Sequence, residues 1–213
     1  IVTGHLNLEV TSIYILKLVY LGNEEWYRTY GTSEAYGIEI KESNNGGFIL
    51  GGKNEGYGWL LKLNSLGFTE WTYDFTNFID STAAVSSITS IIATEELDII
   101  MTGVGTSTIG NNNIPILVKI NQYGQLEWDS CYVDYSQYLN LSSFNKSKLI
   151  DSNGGYLHNF GTKLFKFDYS GNILWIRDFY NNPSYHIINL IVNNEGEIIL
   201  CFSNNNLKKL DSN

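Results

Sequence analysis

The chain has 213 residues, which is enough to bury a sizeable core, and its 43% hydrophobic and 16% charged residues are typical of a folded globular protein. The formal net charge of −9 argues against nucleic acid as a partner, because phosphates recruit Lys and Arg, and against electrostatic docking on an anionic membrane. No apolar run approaches the roughly 18 residues that a spanning helix needs, so membrane insertion is not expected.

A ten-residue phrase recurs four times along the chain. The copies read KLVYLGNEEW (17–26), KLNSLGFTEW (62–71), KINQYGQLEW (119–128) and KFDYSGNILW (166–175). Each ends in a Trp that has a Gly four residues earlier; the pairs are Gly22 and Trp26, Gly67 and Trp71, Gly124 and Trp128, and Gly171 and Trp175. The Trps are 45, 57 and 47 residues apart, and a fifth copy begins at 207–213. Such a period indicates one structural unit used repeatedly.

Each unit has the pattern of short β-strands. A branched or aromatic run such as IYILKL (13–18) or WLLKL (59–63) leads into the Gly turn, where Gly suits a positive φ, and the Trp then opens the next strand. An alternating strand (GIEIKES, 37–43), a turn (NNGG, 44–47) and a further strand (FILGG, 48–52) follow. Four antiparallel strands in each unit predict the blade of a β-propeller, and almost no helix is expected.

The predicted architecture is a single all-β domain, a β-propeller of about five four-stranded antiparallel blades. The units span approximately 1–30, 31–76, 77–134, 135–180 and 181–213. The first unit lacks its alternating strand and the last lacks its Trp strand, so the terminal blades are incomplete. Either a five-bladed ring closes with defective blades, or the chain is part of a larger propeller. Both alternatives predict exposed strand edges.

The stretch YILKLVYLGNEEWYRTYGTSEAYGIEIKESNNGGFILGG (14–52) resembles the β-propeller repeats of bacterial and archaeal surface proteins. Its Gly-Trp turn is also similar to that of quinoprotein-like propellers, which implies that the Trp docks between neighbouring blades. The Asp of the family's turn is replaced in three copies, by Val19, Asn64 and Asn121. The spacing from this Asp to the Gly is one residue too long for a sialidase Asp-box, so the enzyme interpretation attached to that box loses support.

The sequence offers no convincing catalytic or metal-binding cluster. The only histidines, His5, His158 and His186, fall in separate units, whereas zinc ligands usually lie at short spacing. No GxSxG motif is present. No catalytic residue, metal or cofactor is therefore predicted, and the chain is not expected to be an enzyme. Cys131 and Cys201 fall in different blades, which favours two free thiols over a disulfide.

Candidate ligand-binding residues lie where the units differ. Tyr57 and Trp59 form an aromatic pair at the end of GGKNEGYG (51–58) and in the residue after it. This pair could stack on a sugar ring while Asn54 and Glu55 bind the sugar hydroxyls. Alternatively, Trp59 packs inward. The third unit carries extra residues in GVGTSTIGNNNIP (103–115), predicted as a long loop. Its candidates are Asn111, Asn112 and Asn113.

The leading hypothesis is a non-enzymatic interaction or scaffold module of an extracellular or cell-surface protein. It would bind a protein or glycan through loops on one face of the propeller, because propeller repeats are scaffolds whose loops carry function. One alternative is a lectin with an equivalent site in each blade. Another is a hydrolase or quinoprotein-type enzyme, which would need cofactor contacts or a catalytic cluster that the sequence does not display.

Overall fold

The structure is a computed structural model that describes residues 2–7, 11–32, 34–76, 83–107, 113–132, 149–152, 154–179 and 185–210. Within these ranges all 18 regular elements are β-strands. They form five antiparallel sheets, each built from strands that are consecutive in the chain. Two of the sheets have three strands and three have four.

The first sheet contains β1 (Val2–Asn7), β2 (Thr11–Leu18) and β3 (Glu24–Tyr30), and the second contains β4 (Tyr36–Glu42), β5 (Phe48–Asn54), β6 (Tyr57–Leu63) and β7 (Thr69–Asp74). The third contains β8 (Ala83–Ala93), β9 (Ile99–Ser107), β10 (Asn113–Ile120) and β11 (Leu126–Cys131). The fourth contains β12 (Leu149–Ser152), β13 (Gly155–Phe160), β14 (Lys163–Phe167) and β15 (Ile173–Asp178). The fifth contains β16 (Ile187–Val192), β17 (Ile198–Phe202) and β18 (Leu207–Leu210).

The first strands of successive sheets approach one another, β4 with β8, β8 with β12 and β12 with β16, so they are the inner strands of a β-propeller. The last strands β3, β7, β11 and β15 carry the repeat Trps and are the outer strands. Among the described residues, the first sheet has no counterpart of β4 and the fifth has no outer strand. The first and fifth sheets therefore each lack one strand in their described parts, as expected for incomplete terminal blades.

Apolar clusters fill the space between consecutive sheets. Along β6, side chains alternate between the two faces, so Leu60 packs toward the third sheet and Leu61 toward the first. A closed ring of five sheets requires five such interfaces, but the described residues form four, in a row from the first sheet to the fifth. The all-β propeller of antiparallel blades is confirmed. Its four packed interfaces correspond to four blades, so the prediction of about five blades is corrected to four.

A joint between a Trp and a Gly connects neighbouring sheets; here a joint means an outer-strand indole packed on the Gly turn of the next sheet. The indole Nε1 of Trp26 donates to Ser65 O at 3.3 Å, and that of Trp71 donates to Gln122 O at 3.0 Å. A methyl group on Gly124 would lie 2.9 Å from Trp71 Cδ2. Gly124 also has a φ of +82°. This position therefore needs Gly for its backbone conformation and for the close approach of the indole.

An aromatic residue four positions after each Trp supports the joint, and the sequence analysis did not identify it. The hydroxyl of Tyr30 donates to Gly67 O at 2.5 Å, and that of Tyr132 donates to Gly171 O at 2.5 Å. The equivalent Phe75 is buried between the second and third sheets. Where this residue is Tyr, the turn Gly of the next sheet is thus held through its carbonyl group as well as through its Cα.

In three of the four copies the repeat Lys pairs with the Glu that precedes the Trp on the adjacent strand. The fourth copy has Leu174 in place of this Glu. The register places Lys62 opposite Trp71, so Glu70 lies diagonally across from the ammonium group. The Lys62 Nζ is 3.2 Å from Glu70 Oε2 and 3.2 Å from Asn45 Oδ1, and the side chain is 2% exposed. Lys62 is therefore a structural residue that ties three parts of one sheet together.

Asn stands in the second and third turns where the fourth has Asp168, and the turn hydrogen bonds are kept. Asn64 Oδ1 accepts from the backbone N of Leu66 and of Phe68, both at 3.0 Å, and Asp168 Oδ1 accepts from the equivalent groups at 2.9 Å. Val19 occupies this position in the first sheet and has no oxygen to offer. Its turn keeps only the backbone bonds, such as Gly22 N to Val19 O at 2.9 Å.

Substitution of Gly124 by Ala should be more damaging than the same change at Gly22. Both glycines have a φ above +80°, so each Ala costs about 1–2 kcal/mol in the left-handed backbone. At Gly124 the new methyl group also collides with Trp71, at a further cost of about 1–3 kcal/mol, whereas a methyl group on Gly22 has nothing within 4 Å. Urea unfolding of both variants measures the difference; equal losses of stability would contradict the joint.

Substitution Val19→Asn should stabilise the chain. The amide oxygen restores two hydrogen bonds to turn N–H groups, worth about 0.5–1.5 kcal/mol each, and Val19 is already 42% exposed, so little apolar burial is lost. Thermal unfolding against the Val19→Ala control measures the gain. An Asn variant no more stable than the Ala variant would show that the turn does not use the side chain.

Candidate functional site

The residues predicted to bind a ligand at 54–57 form the tip of the β5–β6 hairpin. Asn54 pairs with Tyr57 across a two-residue turn, in which Glu55 and Gly56 have φ values of 49° and 89°. Asn54 Oδ1 accepts from Thr32 N at 3.1 Å and from Thr32 Oγ1 at 2.9 Å, so this amide anchors the preceding loop. Glu55 and Tyr57 are exposed, Tyr57 to 40%.

Trp59 does not join this tip, because its indole fills the core between the first and second sheets. The side chain is 4% exposed and packs with Leu50, Leu61 and Ile13. No face of the ring is available to a sugar. The expectation of sugar stacking by Trp59 is therefore corrected to a packing role, and the predicted aromatic pair is split between surface and core.

The stretch 103–115 is mostly strand and not a long loop. β9 continues to Ser107, and β10 begins at Asn113, with Pro115 opposite Val104 in the register. A methyl group on Gly103 would lie 2.6 Å from Ser87 O, so this Gly allows close strand pairing and does not mark a loop. Asn111 and Asn112 lie outside the described residues, as do the atoms of Asn113 beyond its backbone.

A shallow groove of about 460 Å³ lies beside the joint of the first and second sheets. It is lined by residues 27–30 of β3 and by Gly67, Phe68 and Thr69, which lead from the turn into β7. Alternation along β3 leaves Tyr27 and Thr29 exposed and makes Arg28 and Tyr30 half-buried. The groove follows from the joint, because Trp26 holds the turn of the second sheet against β3.

Arg28 is the charged group of this groove. Its Nε donates to Leu66 O at 3.1 Å, and its guanidinium carbon lies 3.9 Å from the centre of the Phe68 ring. In the part of the chain that the structure describes, no carboxylate lies within 4.0 Å of this guanidinium group. A guanidinium group has five N–H donors, so Arg28 retains donors for a ligand.

Tyr30, the half-buried tyrosine of the groove, is neutral at physiological pH. Burial raises the pKa of Tyr30 to about 12, although the positive charge of Arg28 opposes the shift, so the phenol stays protonated and donates to Gly67 O. Tyr27 is 45% exposed and Phe68 is 52% exposed. One cation, two exposed aromatic rings and two threonine hydroxyls form a surface suited to binding. The lining contains no acid and base pair.

A second polar cluster ties the inner strands of the second, third and fourth sheets together. Glu39 Oε2 on β4 accepts from Ser90 Oγ at 2.8 Å and from Ile91 N at 2.7 Å, both on β8. Ser90 Oγ also accepts from Leu149 N on β12 at 3.1 Å. The carboxylate and the hydroxyl are thus used to connect inner strands, which is a structural role.

His158 lies in the interior between the third and fourth sheets. Its Nε2 is 2.7 Å from Thr102 Oγ1, and that hydroxyl is 3.2 Å from Thr89 Oγ1. The side chain is 0% exposed, and burial lowers its pKa to about 3, so the imidazole is neutral. Among the described residues its Nδ1 has no hydrogen-bond partner. A ring sealed from solvent in this way cannot reach a substrate.

The cysteines and the possible metal ligands of the described residues do not come together in one site. Cys131 on β11 and Cys201 on β17 lie in different sheets and are not joined by a disulfide. Across the residues with described positions, no three His, Cys, Asp or Glu side chains are close enough to hold a metal ion. The described ranges also contain no helix that is long and apolar enough to cross a membrane. The side chain of His5 lies outside the described residues.

Comparison with known proteins supports the fold. No protein-family model matches the sequence, and no curated protein matches it. The crystal structure of a protein of unknown function from Bacteroides caccae is similar, with a TM-score of 0.58 and 8% identity over 99% of this chain and 72% of that one. The Dos1 propeller is similar with a TM-score of 0.62 and 12% identity over 95% of this chain. The chain spans about half, 53%, of the Dos1 propeller's length.

The buried His158 should make the stability of the fold fall in mild acid. The unfolded chain binds a proton at this ring below about pH 6.5, whereas the folded chain does not until about pH 3, so its contribution is complete above pH 6.5 and is lost toward pH 3. His158→Gln, which can still bond Thr102, should reduce the slope of the free energy of unfolding by up to about 1.4 kcal/mol per pH unit in this window. Urea unfolding from pH 4 to pH 7 measures it; an unchanged slope would contradict the assignment.

Proposed function

We propose that the chain is a non-enzymatic interaction module that binds a protein or glycan ligand on the propeller surface, and that the groove beside the first joint receives an anionic group of this ligand. The observation that carries the proposal is Arg28. Its guanidinium group has unused N–H donors, is held in place by Leu66 O and the Phe68 ring, and has no described carboxylate within 4.0 Å.

The geometry favours short-range recognition of a carboxylate or sulfate. A guanidinium group binds a carboxylate through two parallel hydrogen bonds, and a fixed side chain loses less entropy when it does so. Phe68 and Tyr27 provide exposed rings for an apolar or sugar face of the same ligand. With a net charge of −9 the protein does not attract anions from a distance, so selectivity arises from contact and not from steering.

The β5–β6 hairpin tip is a second contact region of the same proposal. Glu55 and Tyr57 are exposed there, while Asn54 is committed to Thr32. The tip and the turn of residues 64–68 lie at opposite ends of β6, so one small ligand cannot reach both. The extracellular or cell-surface setting belongs to this proposal as well and rests on the resemblance of the repeats to those of surface proteins.

A lectin with an equivalent site in every blade is supported less well. The Arg position two residues after the repeat Trp is Arg28 in the first sheet and Arg177 in the fourth, but Tyr73 in the second and Ser130 in the third. Arg177 lies near its own Trp175 ring, 5.2 Å from the centroid. The groove chemistry is therefore specific to the first joint and does not repeat around the propeller.

Removal of the Arg28 charge should weaken binding of acidic ligands. Arg28→Gln is expected to reduce affinity roughly ten- to hundredfold, because a charge-assisted hydrogen bond contributes about 1.5–3 kcal/mol. An array of uronic-acid, sulfated and neutral glycans, together with acidic and neutral peptides, identifies the ligand class. Titration calorimetry of the best ligand with each variant then measures the loss.

The matched control is Arg177→Gln, which removes the same charge at the equivalent repeat position outside the groove. It should leave binding unchanged. Tyr57→Ala tests the hairpin tip in the same assay. Equal losses of affinity for Arg28→Gln and Arg177→Gln would show that the effect comes from net charge alone. If neither Arg28→Gln nor Tyr57→Ala altered ligand binding, the proposed binding surface would be wrong.

A further inference from the structure

The first sheet has an apolar face that is covered in the other sheets. Aligned on the repeat Lys, its residues Tyr14, Leu16 and Leu18 correspond to Trp59, Leu61 and Leu63 of the second sheet and to Ile116, Val118 and Ile120 of the third. In both of those sheets the three residues are buried against the preceding sheet. In the first sheet they are not buried, and Leu18 is 36% exposed.

The Gly turn of the first sheet also lacks the contact that the other turns have. Methyl groups on Gly124 and Gly171 would lie 2.9 Å and 2.8 Å from the indole of the preceding sheet, and one on Gly67 would lie 3.0 Å from the indole of Trp26. A methyl group on Gly22 would meet nothing within 4 Å. The neighbouring side chains Tyr20 and Leu21 are 102% and 82% exposed. The turn nevertheless has the same backbone as the others, with a φ of +84° at Gly22.

We propose that this open face, consisting of Tyr14, Leu16, Leu18 and the turn of residues 19–23, is a docking surface for a further blade of the same repeat. The outer strand of that blade presents a Trp, whose indole N–H donates to Tyr20 O and whose ring packs on Gly22. The assignment follows from the joints within the chain, where Trp26 and Trp71 make these contacts with Ser65 O and Gln122 O. It is independent of the Arg28 groove.

A second copy of the chain fits this face less well than a further blade. The fifth sheet of another copy would offer exposed apolar residues, Ile191 at 48% and Leu207 at 70% exposure. However, its last described strand is β18, so the described part of this sheet supplies no Trp-bearing outer strand. Such a copy could cover Leu16 and Leu18 but would leave Gly22 without an indole.

The test is a fusion that supplies the blade. A copy of residues 31–76, which contains the whole second sheet, is joined ahead of Ile1 through a Gly/Ser linker of about 15 residues, long enough to reach roughly 20 Å. Nuclear magnetic resonance measures hydrogen exchange of the appended Trp71 indole. We expect at least tenfold slower exchange than in the same fusion carrying Gly22→Asn in the recipient turn, together with shifted amide signals of residues 20–22.

Gly22→Asn is the suitable block, because Asn tolerates the left-handed backbone while its side chain fills the space that the indole would occupy. Trp71→Ala in the appended copy should abolish the amide shifts. Exchange and shifts that are the same with and without Gly22→Asn would overturn the proposal. So would self-association of the unfused chain that is abolished by Gly22→Asn and by Leu207→Glu, since a second copy would then be the occupant.

Discussion

The contact between an outer-strand Trp and the Gly turn of the next sheet is the constraint on which the structure depends. A four-stranded sheet with apolar side chains on both faces cannot be stable alone, so each sheet needs a neighbour at a defined distance. The indole sets that distance, because it hydrogen-bonds to the turn and lies against a residue that has no side chain. Both the burial of β6 side chains on its two faces and the groove next to β3 follow from this spacing.

Much of the fold could be predicted because the joint requires particular residue types. An indole, a Gly with positive φ and a Lys opposite the Trp recur at fixed spacing, and repetition makes them visible in one sequence. The aromatic residue after the Trp was missed since it is Tyr30 in one unit and Phe75 in another, and only the tyrosine makes a hydrogen bond. The number of packed interfaces could not be predicted either, because the repeat pattern describes single units and not the way in which a ring of units closes.

The candidate site was less predictable, for physical reasons that differ between residues. Trp59 has a polar, Gly-rich neighbourhood, yet it occupies a strand position that is apolar in the first and third sheets, and such positions face the core. Arg28 attracted no attention because its environment is created by Leu66 O and Phe68, almost forty residues away in the chain. Grooves between units depend on pairs of neighbours, so a motif within one unit cannot reveal them.

The joint uses backbone atoms of the accepting turn, and this has a consequence for how the blades of this chain can diverge from one another. The acceptors are the carbonyl groups of Ser65 and Gln122, two residues with unrelated side chains, and the packing partner is a Gly Cα. The side chain at this acceptor position is therefore not constrained by the joint, in contrast to the turn Asn or Asp, whose side chain bonds to the N–H groups of the turn. Mutations there can accumulate at little cost in folding, as in the hypervariable loops of other scaffolds, and each blade can evolve its own specificity.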